Sequence, residues 1–173
     1  MITIIAGTNR PNSNTLKVAK YYRNQLAEKG LQITLFDLQD LPANFIAENL
    51  YGKKTPAFDK IQELITKTSK FLFVIPEYNG SYPGVLKTWI DACAFPESFY
   101  DKKACLVGIS SGKYGNIRGI EHFSGVCAYL HLNVMPLRLH IPNIKQEINE
   151  NGDLFMEDTL KFTNQQMDKF VAY

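Results

Sequence analysis

The hydrophobic positions at the start of the chain switch from strand-like to helix-like spacing and back. A short β-branched run, ITIIAG, is followed by Val18, Tyr22 and Leu26 at helical spacing, up to Gly30. The next segment, LQITLFDL, alternates between apolar and polar residues as a strand does. This order predicts a β-α-β unit whose helix covers residues 14–29.

The same alternation continues through the rest of the chain. Further strands are predicted at KFLFVIP, ACLVGIS and NVMPLRLHI. Further helices are predicted over residues 58–67, residues 83–94, a segment whose inner face carries Ile120, Phe123, Cys127 and Leu130, and residues 158–171. Apolar strands that alternate with helices are typical of a parallel sheet covered on both faces. The pattern predicts an α/β fold: a flavodoxin-like three-layer sandwich with a five-stranded parallel sheet of order 2-1-3-4-5 and helices on both faces.

Length and composition fit one domain of ordinary size. The chain has 173 residues, of which 45% are hydrophobic and 12% aromatic, enough for a substantial core. It has no repeats, and its two long connections, residues 39–56 and 143–155, carry apolar residues and do not resemble domain linkers. We therefore expect a single domain over residues 1–173, with the first connection serving binding or subunit contacts.

The charge pattern names no macromolecular partner. Nineteen basic and 17 acidic residues are interspersed along the chain and give a formal charge of +2. This excludes a nucleic-acid-binding arm and a polybasic membrane patch. The apolar runs are short, and the first residues lack the layout of a signal peptide, so we expect a cytoplasmic protein without a membrane span.

Cysteine and histidine spacing predicts no metal site. None of the cysteines is part of a CxxC pair, and the histidines match neither HxxxH nor HExxH. We expect the thiols to be free and buried, because each lies in an apolar strand or helix. The cysteines are Cys93, Cys105 and Cys127, and the histidines are His122, His131 and His140.

Three polar loops are expected at one edge of the sheet. In an open sheet of this order, ligands bind beyond the carboxyl ends of the strands, where the strand order reverses. The segments that follow the first, third and fourth strands are loop 1 (residues 7–15), loop 2 (residues 76–84) and loop 3 (residues 110–116). All three are rich in glycine, asparagine and hydroxyl side chains, so they form the candidate site.

Loop 1 has the groups that bind a phosphate. Thr8, Ser13 and Thr15 carry hydroxyls, and Asn14 carries an amide beside the free N–H groups of a helix start. Arg10 adds a charged, planar donor. For single residues a simpler interpretation stays open, since Ser13 or Asn14 can be a helix cap and Arg10 a solvated side chain.

Loops 2 and 3 suit a flat heteroaromatic ring. In loop 2, Tyr78 offers an aromatic face, Asn79 a donor and an acceptor, and a glycine permits close approach of the backbone. Ser81 and Pro83 are better explained as signals of a helix start. Loop 3 offers a similar surface, although a plain glycine turn explains it equally well. Its candidate residues are Ser111, Gly112, Tyr114 and Gly115.

A phosphate at loop 1 and a planar ring at loops 2 and 3 together describe flavin mononucleotide (FMN). The motifs agree, because GTNRPNSNTLKVA is similar to the G-[ST]-x-R-x-x-S-x-[NT] opening of the NADPH-dependent FMN reductase family. PEYNGSYPGVLKTWID closely resembles that family's PEYNxSxPxxLKNxID segment, and SSGKYGNIRGIEHF resembles its SxGxxGGxRxxxxL region. The resemblance runs in order from residue 1 to about residue 136. It departs at Asn12, at Thr88 and at Asn116, which stands where a second glycine is usual.

The resemblance implies non-covalent FMN, with NADPH or NADH as the electron donor. It implies that the phosphate is bound by Thr8, Arg10, Ser13, Asn14 and Thr15, and that the ring lies near Pro76, Glu77, Tyr78, Asn79, Ser111, Gly112, Tyr114 and Gly115. It further implies a homodimer or homotetramer whose subunits help to close the flavin sites. The electron acceptor would be a small molecule such as free flavin, a quinone, an azo compound or a metal oxyanion.

We expect an enzyme in which the flavin carries the chemistry, so that no side chain is singled out as catalytic. Main-chain N–H groups of loops 2 and 3 are expected to stabilise the reduced ring, and Glu77 is more readily explained as a solvated group than as a proton relay. One alternative is a flavodoxin-type FMN electron carrier without NAD(P)H oxidase activity. Such carriers are acidic and lack an arginine in this loop, which favours the reductase. A flavin-free signalling module would require acidic strand ends, and loop 1 has none.

Overall fold

The computed structural model describes residues 1–173 and contains six strands, seven α-helices and a short 3-10 helix at Leu38–Asp40. The strands are β1 (Ile2–Ala6), β2 (Ile33–Asp37), β3 (Lys70–Pro76), β4 (Lys103–Ile109), β5 (Asn133–Val134) and β6 (Leu139–Ile141). The helices are α1 (Asn14–Glu28), α2 (Phe45–Asn49), α3 (Pro56–Lys67), α4 (Gly84–Ala92), α5 (Ile117–Tyr129), α6 (Ile144–Glu147) and α7 (Glu157–Ala172). Each helix predicted from the periodicity is present, and no predicted end differs from the observed one by more than two residues. The short helices α2 and α6 lie in the two connections that were expected to be loops.

All strand pairs are parallel, and the strand order is β2-β1-β3-β4-β5, with β6 also paired to β4. The predicted order 2-1-3-4-5 is therefore confirmed. The predicted fifth strand is divided in two, because Pro136 lies in its middle and offers no N–H to the sheet. The side chain of Gln166 fills the gap, donating from Nε2 to the carbonyls of Leu106 (3.1 Å) and Leu137 (3.0 Å).

Two apolar layers cover the sheet, and together they explain where the site forms. One layer packs α3, α4 and α5 against one face, and the other packs α1 and α7 against the opposite face. Successive residues of a strand face opposite sides, so Ile5 belongs to the first layer and Ile4 to the second. The chain thus leaves β1 toward one face and β3 toward the other. A crevice opens between these two strands at their carboxyl ends.

Lysine side chains close the ends of two helices. Lys102 donates to the carbonyls of Ile65 and Thr66 at the end of α3, both at 2.9 Å. Lys70 donates to the carbonyl of Val171 at 2.8 Å at the end of α7. The last carbonyls of a helix have no partner within it and carry partial negative charge, so a cation there satisfies both needs.

The three cysteines are free, as predicted. Cys105 and Cys127 are buried in the apolar layers, while part of Cys93 reaches the surface. Removal from water disfavours the thiolate and raises the pKa of Cys93 and of Cys127 to about 12, and it also raises the pKa of Cys105. All three therefore stay protonated and chemically inert at neutral pH.

Candidate functional site

Loops 1, 2 and 3 meet around one cavity of about 400 Å³ at the carboxyl edge of the sheet, and we call it the polar cavity. Its lining residues are Arg10, Pro11, Asn12, Ser13, Asn14, Thr15, Pro76, Glu77, Tyr78, Ile109, Ser110, Ser111, Ile144 and Lys145. The volume lies in the range of small-molecule sites in proteins. The sheet order brings these residues together, since β1, β3 and β4 are neighbours.

Most of the residues predicted from the sequence line this cavity. They are Arg10, Ser13, Asn14, Thr15, Pro76, Glu77, Tyr78 and Ser111. Five others do not line it: Thr8, Asn79, Gly112, Tyr114 and Gly115. Thr8 and Gly115 are buried beneath the loops, and Tyr114 extends outward with 69% of its surface exposed.

The start of α1 offers unpaired donors to the cavity. Ser13 is the N-cap, and its Oγ accepts a hydrogen bond of 3.0 Å from the backbone N–H of Leu16. The capping interpretation of Ser13 is thus correct, yet an accepting hydroxyl keeps its own proton to donate to a ligand. The N–H groups of Asn14 and Thr15 have no partner within the helix. These N–H groups form the positive end of the helix dipole, which favours binding of an anion.

Thr8 connects loop 1 to loop 2 from inside the protein. Its side chain is fully buried, and its Oγ1 lies 2.7 Å from the hydroxyl of Tyr78. The same oxygen accepts a hydrogen bond of 3.3 Å from the backbone N–H of Arg10. The hydroxyl predicted to contact phosphate therefore holds Tyr78 and the backbone of Arg10 in place. Sequence motifs could not show this, because the contact joins residues 70 positions apart.

Loop 2 forms a tight two-residue turn. Tyr78 and Ser81 exchange backbone hydrogen bonds of 2.9 Å and 3.1 Å, and Asn79 and Gly80 between them have φ of 51° and 77°. Positive φ at both central positions is the conformation that Asn-Gly favours in such turns. The N–H groups of Asn79 and Gly80 take part in neither backbone bond. His122 of α5 supports the turn, since its Nδ1 lies 2.9 Å from Oγ of Ser81.

Loop 3 is held by Ser110, which the sequence analysis did not single out. Its Oγ donates to the carbonyl of Gly112 at 2.9 Å and accepts from the N–H of Gly115 at 3.0 Å. Gly115 packs on the backbone of His140, where an added Cβ would lie 2.5 Å from the carbonyl carbon. Glycine is required there for close packing, which gives Gly115 a structural role, and its contact with a ligand stays a prediction.

The departure at Asn116 has a conformational explanation. Asn116 is buried and has φ of 63°, the left-handed region that glycine adopts freely and asparagine tolerates best among other residues. Its Nδ2 donates to the carbonyl of Ile75 at 3.0 Å, which joins loop 3 to the end of β3. Asparagine in place of glycine therefore preserves the shape of loop 3.

A fourth wall of the cavity, residues 143–145, was not predicted. Backbone bonds of 2.9 Å join Asn143 to the carbonyl of Gly112 and Ile144 to that of Ser110. These bonds bring the backbone of Lys145 to the cavity, whose only other charged lining residues are Arg10 and Glu77. Neither Arg10 nor Lys145 takes part in any of the four ion pairs of the chain. The position of this segment after β6 was the available signal, because β6 ends at the same edge of the sheet.

Comparisons with known proteins agree with this geometry. Residues 1–146 match the NADPH-dependent FMN reductase family. The chain belongs to that family. It is 30% identical to a 2-hydroxy-1,4-benzoquinone reductase of a Burkholderia species, over 99% of this chain and 94% of that one. It is also 30% identical to an NAD(P)H-dependent FMN reductase of Pseudomonas aeruginosa, over 82% of this chain and 78% of that one.

A solved structure extends the likeness to the whole fold. The NAD(P)H:(acceptor) oxidoreductase FerB of Paracoccus denitrificans superimposes with a TM-score of 0.81 and 24% identity, over 99% of this chain and 95% of that one. As a member of the FMN reductase family, the protein is an NAD(P)H-dependent oxidoreductase that uses FMN, and the flavodoxin-like fold is confirmed. None of its helices is long and apolar enough to cross a membrane.

The residues around the polar cavity fit FMN chemically. Free N–H groups, a capping hydroxyl and two unpaired cations match a phosphate dianion. Next to the cavity wall at Tyr78, the loop 2 turn has two further backbone donors, the N–H groups of Asn79 and Gly80, which suit the carbonyl and nitrogen acceptors of a flavin ring. No group in the cavity contradicts the cofactor, since its one carboxylate belongs to Glu77 in loop 2, outside the helix start.

Proposed function

We propose that the polar cavity binds FMN and that the protein transfers electrons from NAD(P)H to a small-molecule acceptor such as a quinone. The observation that carries the proposal is the convergence on one cavity of unpaired helix N–H groups, two unpaired cations and the loop 2 residues Pro76, Glu77 and Tyr78. The phosphate end of the cavity would be at loop 1, and the ring end would be at loops 2 and 3. When bound, the flavin supplies the hydride chemistry.

At the phosphate end, the chain provides charge and preorganised donors. Arg10 and the N–H groups of Asn14 and Thr15 would hold phosphate oxygens, and the hydroxyl of Ser13 would donate its remaining proton. Because Ser13 is fixed as the cap of α1 and Thr8 holds the backbone of Arg10, little ordering is needed on binding. Preorganisation of this kind increases affinity by lowering the entropy cost.

At the ring end, the proposed hydrogen-bond donors are backbone N–H groups. The free N–H groups of Asn79 and Gly80, in the turn that follows the lining residue Tyr78, are the donors that would stabilise negative charge on the reduced ring. Tyr78 would frame the ring, since Thr8 fixes its hydroxyl. Glu77 lines the cavity, where we interpret it as a solvated carboxylate. No side chain is assigned as a catalytic acid or base.

Exposed apolar side chains support a homodimer or homotetramer. Tyr114, next to loop 3, and Ile117, at the start of α5, have 69% and 47% of their surfaces exposed, and Tyr129 at the end of α5 has 80% exposed. A second copy covering this face would remove apolar surface from water close to the flavin site. We also predict a cytoplasmic location.

The decisive experiment measures NADPH and NADH oxidation by the FMN-loaded protein with and without a quinone. The proposal predicts quinone-dependent oxidation of at least one nicotinamide. FMN binding without any such oxidation would instead support a flavodoxin-type carrier. A protein that takes up no FMN would refute both.

A further inference from the structure

A second, larger cavity of about 660 Å³ lies on the other side of loop 1, and we call it the apolar pocket. Most of its lining residues belong to the connection after β2, among them Leu38, Leu41 and Phe45, and the others belong to loop 1 and α4. It shares no lining residue with the polar cavity, because Asn9 of loop 1 lines the pocket and Arg10 lines the polar cavity. A molecule in this pocket is therefore separated from the proposed flavin site by loop 1.

The electron donor needs contacts beyond the polar cavity. NAD(P)H joins its nicotinamide to an adenosine through a pyrophosphate, and only the nicotinamide has to reach the flavin. The polar cavity, of about 400 Å³, is assigned to FMN in the proposed function. Any contacts that the chain makes with the adenosine therefore lie outside that cavity, and they need not be close to the flavin ring.

The apolar pocket has the chemistry that suits an adenine ring. No residue that lines it is ionisable, and its polar side chains are Asn9, Gln39, Asn44 and Thr88. Adenine is an uncharged heteroaromatic ring, and the amide of asparagine or glutamine pairs with its edge as both donor and acceptor. The amides of Asn9 and Gln39 are exposed and have no partner in the chain, whereas Asn44 donates to Glu48 at 3.2 Å. Two amides are thus free to recognise such a ring inside a mainly apolar enclosure.

The start of α4 supplies donors between the pocket and the loop 2 turn. Gly84 and Val85 line the pocket, and Gly84 comes three positions after Ser81, which closes the turn. Their backbone N–H groups have no partner, the N-cap Pro83 offers no side-chain bond, and the first turn of α4 has no acidic residue. No other atom lies within 4 Å of a Cβ built on Gly84, so this backbone is accessible. A pyrophosphate that passes from the ring end to the pocket meets these donors at the positive end of a helix.

We propose that the apolar pocket binds the adenosine of NAD(P)H, while the nicotinamide reaches the flavin ring across the loop 2 turn. This inference rests on the proposed function, because it takes the polar cavity as the flavin site. It requires no hydride to cross loop 1, since the adenosine takes no part in the reaction. The 39–56 connection, whose role the sequence left open, thereby becomes a donor-binding segment.

The first test compares NADPH with NADH, which differ only by the 2′-phosphate on the adenosine. Thr88→Lys places a cation in the wall of the pocket. With the FMN-loaded protein and one quinone at fixed concentration, it should shift the ratio of the two kcat/KM values toward NADPH by at least about fivefold, which corresponds to one close pair of unit charges in water. Gln165→Lys adds the same charge at an exposed position of α7, on the opposite face of the sheet, and should leave the ratio unchanged.

The second test removes the adenosine from the donor. Ala43 is an exposed lining residue of the connection after β2, so Ala43→Phe reduces the space in the pocket without disturbing the core. It should lower kcat/KM for NADH at least fivefold, mainly through KM. The anaerobic rate of flavin bleaching by 1-benzyl-1,4-dihydronicotinamide, which has the hydride-donating ring and no adenosine, should stay at the wild-type value, as should the FMN content.

A binding measurement gives a readout that does not depend on turnover. Calorimetric titration of the FMN-loaded protein with 5′-AMP should show binding to the wild type and weaker binding to Ala43→Phe. Adenosine 2′,5′-bisphosphate carries the additional phosphate of NADPH. Thr88→Lys should tighten binding of the bisphosphate more than binding of 5′-AMP, and Gln165→Lys should change neither.

Three outcomes would overturn the inference: an unchanged donor ratio in a folded, FMN-containing Thr88→Lys, an equal shift in Gln165→Lys, or a wild-type kcat/KM for NADH in Ala43→Phe. An equal loss of NADH and benzyl-donor activity in Ala43→Phe would overturn it too, because the substitution would then act on the flavin site. If Thr88→Lys does not fold, the result with Ala43→Phe decides. A wild type that takes up no FMN, or that oxidises neither nicotinamide, would refute the proposed function instead.

Discussion

The hydroxyl of Tyr78 lies 2.7 Å from Oγ1 of the buried Thr8, so the two loops at the reversal of strand order are joined by one hydrogen bond. Thr8 also accepts the N–H of Arg10. Removing its hydroxyl should therefore disturb both ends of the proposed flavin site at once. A side chain that only contacted phosphate would affect one end.

Thr8→Val keeps the shape of the side chain and removes this bond. We expect a loss of unfolding free energy of about 1–2 kcal/mol, because the Tyr78 hydroxyl and the Arg10 N–H lose a partner. Urea unfolding of Thr8→Val, Tyr78→Phe and the double variant measures the coupling. Losses that simply add in the double variant would show that the two hydroxyls do not interact.

Arg10 and Lys145 should act on the phosphate and not on the ring. Arg10→Ala should weaken FMN binding by about 1.5–3 kcal/mol, the scale for hydrogen bonds to charged groups. Lys145→Ala should weaken it less, because an ammonium acts as a point charge and lacks the planar fork that lets arginine bind phosphate through two hydrogen bonds. Riboflavin, which lacks the phosphate, should bind equally to all variants. Fluorescence titrations with both flavins provide the measurement. Equal losses for riboflavin and FMN would place the two cations elsewhere.

Asn116 offers a test of the loop 3 backbone. Asn116→Ala combines the strain of a positive φ, about 1–2 kcal/mol, with loss of the bond to the carbonyl of Ile75, and it should destabilise the fold clearly. Asn116→Gly removes the same bond without the strain, so it should cost less. Thermal unfolding of the two variants gives the comparison. A glycine variant less stable than the alanine variant would contradict the conformational account.

The buried thiols and Tyr22 predict a loss of stability at alkaline pH. Burial raises the pKa of Cys93 and Cys127 to about 12 and also raises the pKa of Tyr22 above its ordinary value of 10.0. Above pH 9 the unfolded chain loses these protons first, so the folded state binds more protons and the free energy of unfolding falls as pH rises. Urea unfolding between pH 8 and 11 should show this decline, and Cys127→Ala should make it shallower. An equally steep decline in Cys127→Ala would assign the effect to other groups.

The parallel sheet could be predicted from the period and length of the apolar segments, and its order from the fit of five strands and about five helices to a flavodoxin-like sheet. ITIIAG, KFLFVIP and ACLVGIS alternate with helical spacing, and that pattern has few solutions other than a parallel sheet. The division of the fifth strand could have been predicted from Pro136, which has no N–H to donate to a sheet. The hydrogen bond from Gln166 to the carbonyl of Leu106 could not, because Gln166 belongs to α7, far along the chain.

The site was predictable to the level of loops and less so to the level of side chains. Loops 1, 2 and 3 followed from the rule on reversal of strand order, and eight of the predicted residues line the cavity. The inward position of Thr8 and the packing of Gly115 on His140 depend on contacts between distant segments. Lys145 was missed because its segment has no motif and was interpreted as a plain loop.

The measurement that tests the central claim most directly is a crystal structure of the protein with FMN. The account predicts the phosphate within hydrogen-bond distance of the Arg10 side chain and of the N–H groups of Asn14 and Thr15, with the ring against the turn from Tyr78 to Ser81. A flavin bound away from the polar cavity, or crystals grown with FMN that contain none, would contradict it.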